Sequence, residues 1–284
     1  MLFSDALCLI RGGGDLATGV VHRLHQAGLP VVVLELAQPR VVRRMASVAQ
    51  AMFDGEITID RLTARRVILA DAADVIRRRC IPVLADSNGE AITALQPKIL
   101  IDARMAKSPL DTTMAAAPFV VGLGPGFTAG ENCHAVVETN RGHDLGRVIW
   151  RGAAQADTGK PEPVLGYEGE RVLRAPVSGA LRAEKEIGDL IKSGETIACV
   201  DDQPVTAKFD GVLRGLIYDG LPVSANEKIG DLDPRCERRY CFTISDKSLA
   251  IGGGALEAVL TWLQGKNLTA KNAKDAKKVD NPFG

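Results

Sequence analysis

The stretch "LCLIRGGGDLATGVVHRLHQAG", residues 7–28, decides how the rest of the chain is read. Residues 6–11 are apolar and short, the pattern of a buried strand. From Asp15 onward Leu16, Val20, Leu24 and Ala27 recur at helical spacing, and Gly28 stops the run. PVVVLEL, residues 30–36, then reads as a β-branched strand. Between strand and helix stand Gly12, Gly13 and Gly14, and with Ala17 they fit G-x-G-x-x-A. Such a turn can serve a ligand: one glycine makes the bend and another lets main chain approach a diphosphate. The small residue seats helix on strand, and the helix N-terminus faces the anion. Glu35 ends the second strand, where a carboxylate binds a ribose hydroxyl and repels a 2′-phosphate. The bland alternative is a strand–turn–helix that uses glycine for the bend alone. Asp15 complicates the ligand reading, since its charge opposes a phosphate unless the residue serves as a helix cap.

Working outward, an amphipathic helix is expected over about residues 40–53. Strands are expected over 65–70 and 81–86 around the helix ADAADVIRRR, with further strands over 98–103, 119–124 and 134–139. Alternating strands and helices predict a mostly parallel, Rossmann-like α/β domain over residues 1–160. The stretch RGAAQADTGKPEPVLG, residues 151–166, lacks periodicity and reads as a linker or long loop. An internal repeat follows. At one constant offset Ala175 matches Ala207, Gly179 matches Gly211, Leu181-Arg182 matches Leu213-Arg214, and Gly188 matches Gly220. Short alternating strands in two copies predict an inserted all-β barrel-sandwich domain over 164–235, of the biotinyl/lipoyl-like type. Carrier domains of that type bear a modified lysine at the hairpin between repeats. Here the tip is Asp201-Asp202-Gln203-Pro204, and Lys208 lies too close to Gly211, so the carrier lysine is missing. Residues 236–266 are expected to return to the α/β domain as a helix interrupted by Gly252, Gly253 and Gly254, and 267–284 to be a disordered tail.

A second constellation lies in GLGPGFTAGENCHAVVETNRGHDLGR, residues 122–147. Following an apolar strand, it is expected at the carboxyl ends of the sheet, where ligands sit in open α/β folds. Gly124, Gly126 and Gly130 could form a backbone nest for an anion. His134, Arg141, His143 and Arg147 add cationic or proton-transfer capacity beside Glu138. Upstream, Asp102, Arg104 and Lys107 end another strand. His134, His143, Arg104 and Lys107 are therefore the candidates for chemistry, weighed against a long ordered loop carrying solvated charges. Cys133 reads as a reactive thiol or, more simply, a small buried hydrophobe, and Cys8 as core. Cys236 and Cys241 lie among Arg235, Arg238 and Arg239, a setting that lowers a thiol pKa. Arg40, Arg43 and Arg44 could contact a phosphate or lie on a solvated helix face.

Bulk properties narrow the classes. The 284 residues carry 35 basic and 35 acidic side chains, so no charge footprint points to nucleic acid or an anionic membrane. No apolar run is long enough for a membrane span, and the first residues lack a basic region followed by a long apolar stretch, so no signal peptide and a cytoplasmic protein are expected. The six cysteines are dispersed without C-x-x-C, which argues against a disulfide framework or a zinc site, and no metal ligands are assigned.

Five segments, "GGGDLATGVVHRLHQAG", "GLGPGFTAGENCHAVVETNRGHDLGRVI", "RVLRAPVSGALR", "FDGVLRGLI" and "KIGDLDPR", together resemble the YqeB-type proteins of the selenium-dependent molybdenum hydroxylase system. The resemblance runs from about residue 6 to 264. It implies an accessory factor, similar in proposed role to those that mature xanthine dehydrogenase-type enzymes. The implied ligand is a molybdopterin-type cofactor, the implied partner the hydroxylase itself. A molybdopterin dinucleotide and NAD share the diphosphate and ribose that Gly12, Gly13, Gly14 and Glu35 would hold, with Gly124, Gly126 and Gly130 taking a second anionic group. An NAD-dependent oxidoreductase and a non-catalytic scaffold docking the hydroxylase remain open beside it, so whether the chain is an enzyme stays undecided. A homo-oligomer is compatible with all three.

Overall fold

The computed structural model describes residues 3–105, 111–156 and 163–279, with side chains up to residue 265. In chain order the first half comprises β1 (Cys8–Arg11), α1 (Asp15–Gln26), β2 (Val31–Glu35), α2 (Ala51–Asp54), β3 (Glu56–Ile59), β4 (Leu62–Arg66), α3 (Ala72–Arg77), β5 (Ile81–Ala85), α4 (Glu90–Leu95) and β6 (Ile99–Asp102). It continues with β7 (Phe119–Leu123), β8 (Thr128–Ala129), β9 (Ala135–Val137), β10 (Val148–Ile149) and β11 (Gly152–Ala153). The sheet has nine strands in the order β10-β9-β7-β6-β1-β2-β5-β4-β3. All neighbours are parallel except β3 with β4 and β10 with β9. The chain thus starts in the middle and builds outward through β2 to one side. It returns through β6 to the other, which opens a crevice at the carboxyl ends of β1 and β6.

The central strands are apolar because both faces are covered. Ile10, Val33, Ile101 and Val121 face α1 and the C-terminal helix, in one core. Leu9, Val32, Leu100 and Val120 face the opposite way, onto α4 and the ring of Phe127. The C-terminal helix, α5 (Asp246–Val279), lies along α1. Gly252 permits this: a Cβ there would come within 3.0 Å of the Gly19 carbonyl.

The second half builds two interlocked antiparallel sheets. They use β12 (Val172–Arg174), β13 (Gly179–Ala183), β14 (Leu190–Ile191), β15 (Thr196–Val200), β16 (Gln203–Thr206), β17 (Gly211–Leu216), β18 (Pro222–Val223) and β19 (Lys228–Asp233). Their orders are β12-β19-β17-β14 and β16-β15-β13-β18. Each sheet takes its two outer strands from the other repeat: β12 pairs β19 and β14 pairs β17, while β16 pairs β15 and β18 pairs β13. The offset read from sequence superposes one order on the other strand by strand, so the repeat is a pseudo-twofold around one apolar core. The β15–β16 tip is the pair Asp201-Asp202, and the Asp201 carboxylate accepts the Ala180 amide.

Several expectations are corrected. Residues 40–53 form no single helix; they are two 3-10 turns, Arg44–Ala46 and Val48–Gln50, followed by the short α2. Val42 and Met45 pack into the β-domain core while Val48 and Met52 pack under the sheet, so the apolar positions serve two cores rather than one face. Strand β4 spans Leu62–Arg66, earlier than expected, and forms a hairpin with β3. The linker carries β11, paired with β8, and residues 157–162 lie outside the described ones. Helix α5 is uninterrupted at Gly252, Gly253 and Gly254, and its backbone runs to Val279 through much of the segment expected to be disordered; residues 280–284 lie outside the described ones.

Candidate functional site

The glycine turn lies at the crevice between β1 and β6. Gly12 donates its amide to the Leu34 carbonyl at 2.8 Å and has φ +93°. A Cβ on it would meet the Arg104 Cα at 3.1 Å, because the chain leaving β6 crosses there. Gly13 is hemmed in by the Ala49 amide nitrogen at 3.1 Å and a Val33 methyl at 3.2 Å from a built Cβ. Both are closely enclosed by the fold, Gly12 also by its left-handed backbone. Gly14 is different. It is the N-cap of α1 with φ −68° and ψ −172°, a conformation open to any residue, and the nearest atom to a Cβ would be a Val41 methyl at 3.8 Å. Among the described residues no acceptor takes the amides of Gly14, Asp15 or Leu16. They are the orphan donors of a helix N-terminus and carry its positive end.

Glu35 folds back onto this turn. Its carboxylate accepts the Gly13 amide at 2.6 Å and the Leu36 amide at 2.7 Å. Burial pushes its pKa above the usual carboxylate value, against the lowering effect of those two bonds. Each oxygen keeps a lone pair for a further donor. Asp15 is the first helical residue rather than the cap. Its charge is paired: Arg43 donates to it at 2.7 Å and the Ser248 hydroxyl at 2.9 Å. The objection that Asp15 repels an anion is met by this pairing.

Arg43 also donates to the carbonyls of Tyr240 and Thr243. Arg44 donates to the Leu216 carbonyl and lies over the Tyr218 ring, which stacks on Phe53 at 3.8 Å. Arg40 pairs with Glu227. None of the three lies on a solvated helix face, and all three tie the segment after β2 to the second half of the chain.

A second polar cluster was not foreseen as a unit. Arg11 and Asp102 are register partners on β1 and β6, on the face opposite α1. Asp102 is fully buried and accepts from Arg104 and from Thr112. Asp111 lies between Arg11, at 2.9 and 3.0 Å, and Arg104, at 2.6 Å. The Arg11 hydrogen bond holds the Asp111 carboxyl far below its ordinary range. Each residue alone reads as a polar strand end. The signal lay in the paired positions of Arg11 and Asp102, which only the strand register reveals.

The remaining candidates are not brought together. His134 precedes β9, which runs parallel to β7, so it sits at the amino edge of the sheet, away from the glycine turn. The reason is local: the Phe127 ring fills the space over Gly122, and the β8 turn carries the chain back before β9 begins. The His134 Nδ1 accepts the Val120 amide, and burial lowers its pKa. His143 is exposed on the connection from β9 to β10. Lys107 lies outside the described residues. The glycines of this loop make no nest: Gly124 donates to Val137 and Gly130 to Cys133, while Gly126 is exposed with its carbonyl bonded by Asn132. Glu138 accepts the Asn140 and Gln155 amides, and Arg141 pairs with Asp246 and Arg147 with Asp144. Cys133 and Cys241 are buried, and burial pushes each thiol up to about 11, so the arginines near Cys241 do not activate it. No group of three or more His, Cys, Asp or Glu that could hold a metal occurs among the described residues, and no helix there is long and apolar enough to cross a membrane.

These features define an α/β protein with a mixed, mostly parallel nine-stranded sheet and small antiparallel sheets, its glycine turn at a sheet crevice. The chain is a homologue of the uncharacterized protein YqeB of Escherichia coli (strain K12), with 46% identity over 255 residues. The match covers 89% of this chain and 47% of that protein, so the chain spans about half the length of the curated relative. No family model matches. Among solved structures, an aspartoacylase family protein of Mesorhizobium loti is similar at TM-score 0.27 and 10% identity, over 80% of this chain and 84% of that one. A succinylglutamate desuccinylase of Silicibacter sp. TM1040 is similar at TM-score 0.24 and 14% identity, over 80% and 84%. At these scores neither likeness bears on fold or function.

Proposed function

We propose that the chain binds a dinucleotide-type ligand with its diphosphate over the amides of Gly14, Asp15 and Leu16. One observation carries this reading. Gly14 is a glycine that the fold does not need, and the space it keeps open lies in front of unpaired helix N-terminal amides. The strand order around β1 supports it: β5-β2-β1-β6-β7-β9 is that of a Rossmann-like sheet, with the turn at the switch point. Glu35, oriented by two amides, is placed to accept ribose hydroxyls, and its charge selects against a 2′-phosphate. The chain's own share of the work is binding and orientation.

The biological role proposed is maturation of a selenium-dependent molybdenum hydroxylase, with a molybdopterin dinucleotide as the ligand and the hydroxylase as partner. The segment resemblance supports that role. Gly14 and Glu35 would hold the diphosphate and ribose of that cofactor, which supplies its own molybdenum chemistry. The second half, two repeats closed into a barrel-sandwich without a lysine at its tip, is proposed as a docking module rather than a carrier. NAD shares the diphosphate and ribose, so an NAD-dependent oxidoreductase is the second reading. Native mass spectrometry of protein from molybdenum- and selenium-supplied cells separates them: a pterin dinucleotide mass supports maturation, NAD the oxidoreductase. Protein that carries neither, and binds neither when it is added, contradicts both.

A further inference from the structure

The cluster beside the glycine turn has an unusual division of burial. The Arg11 side chain is 5% exposed, Arg104 25% and Asp102 0%, whereas Asp111 is 60% exposed. Three of the four charged groups are fixed parts of the sheet edge. Asp102 is committed to Arg104 and Thr112. Among the described residues Arg11 has no other carboxylate: its charge partner is Asp111, gripped through both oxygens, with Thr112 adding a hydroxyl acceptor. The fixed groups, Arg11, Arg104 and Asp102, sum to one positive charge, which Asp111 cancels from the solvent side. A carboxylate held bidentately by one arginine and capped by another has the geometry of a bound oxyanion. The Cα of Arg104 also lies against Gly12, so the pair borders the same crevice as the proposed diphosphate site.

We propose that Arg11 and Arg104 form an oxyanion subsite that Asp111 fills as an internal surrogate, and that a carboxylate or phosphate of the bound ligand displaces it. Arg11 grips through a planar fork suited to either group, and Thr112 steadies the arrangement, its oxygen accepting from Arg11 and its hydroxyl donating to Asp102. The proposal rests on the dinucleotide reading only for what the ligand's other end does. The subsite itself stands on the charge arrangement.

The test uses the full chain and Asp111→Asn, titrated with inorganic phosphate and separately with acetate against chloride at equal ionic strength, followed by thermal melting. Asp111→Asn should bind at least one of the two anions about tenfold or more tightly than the native chain, as expected when a competing group worth about 1.4 kcal/mol is removed. Adding Arg11→Gln should abolish the gain. The stronger anion identifies the group accommodated, carboxylate or phosphate. Should Asp111→Asn fail to fold in chloride, its refolding yield in phosphate or acetate gives the same answer: rescue supports the subsite, and equal failure in all three salts overturns it. Equal responses of Asp111→Asn and native protein to all salts also overturn it and leave Asp111 a structural partner only. Gly14→Ala separates the two readings, since it should weaken dinucleotide binding about tenfold or more and leave the phosphate or acetate response of Asp111→Asn intact.

Discussion

Three adjacent glycines in α5 differ sharply in surroundings, and substituting them one at a time measures how closely that helix is seated. A Cβ on Gly253 meets nothing within 4 Å, whereas one on Gly254 would lie under 3.0 Å from the Gly146 carbonyl oxygen and at 2.9 Å from a Val137 methyl. Alanine gains about 0.8–1.0 kcal/mol over glycine in a helix interior. Gly253→Ala should therefore stabilise the protein by nearly that amount. Gly254→Ala gains the same propensity but must push main chain against main chain. Reaching an ordinary contact near 3.5 Å requires the helix to retreat by about 1 Å or more, which forfeits much of the dispersion energy along the seam. With overpacking costs of about 1–3 kcal/mol, and the upper end expected against backbone, the net loss is roughly 2 kcal/mol. The two variants should thus differ by about 3 kcal/mol in urea unfolding followed by circular dichroism. Similar stabilities, or a destabilised Gly253→Ala, would refute an unbroken α5 packed against the β9–β10 connection.

Other outcomes follow from burial and charge. Asp111 has a folded pKa depressed below the ordinary 3.8, with the Arg11 hydrogen bond as the leading cause. Its contribution to stability is therefore complete above that ordinary value and is lost as the pH falls toward the folded one. The stability difference between native protein and Asp111→Asn should shrink on acidification through pH 3.8 and stay flat between neutral pH and 6 (roughly two units above the unfolded pKa). Cys236 is exposed while Cys8, Cys133 and Cys241 are buried with raised pKa values. Brief alkylation at neutral pH, read by peptide mass spectrometry, should label Cys236 and leave those three until the protein is denatured.

The strand–turn–helix–strand at the start was legible because each element carries a local signal: an apolar run, a glycine turn, helical spacing, then β-branching. The pseudo-twofold of the second half was legible because Gly179 and Gly211, and Leu181 and Leu213, repeat in sequence as well as space. The β3–β4 hairpin was hidden because Asp60 and Arg61 take positive φ at its turn, where glycine or asparagine would have announced it. Residues 40–53 mislead because Val42 and Met45 answer to one core and Val48 and Met52 to another. His134 was assigned to the wrong edge because a two-residue strand and one phenylalanine reverse the chain before β9, a detour without periodicity. In the site, the glycines were legible but their division of labour was not. That two serve the bend and one serves nothing in the fold depends on neighbours from β6 and the Val41–Ala49 segment, far away in sequence.

That division gives the most direct measurement. Native protein and Gly14→Ala are titrated calorimetrically with ADP-ribose, which carries the diphosphate and ribose but neither nicotinamide nor pterin, and both are melted without it. The account predicts matching melting temperatures, because the added methyl meets only Val41 at 3.8 Å, and binding by the native chain that weakens about tenfold or more in the variant. Equal affinities in the two proteins would contradict it, placing the ligand away from the amides of α1.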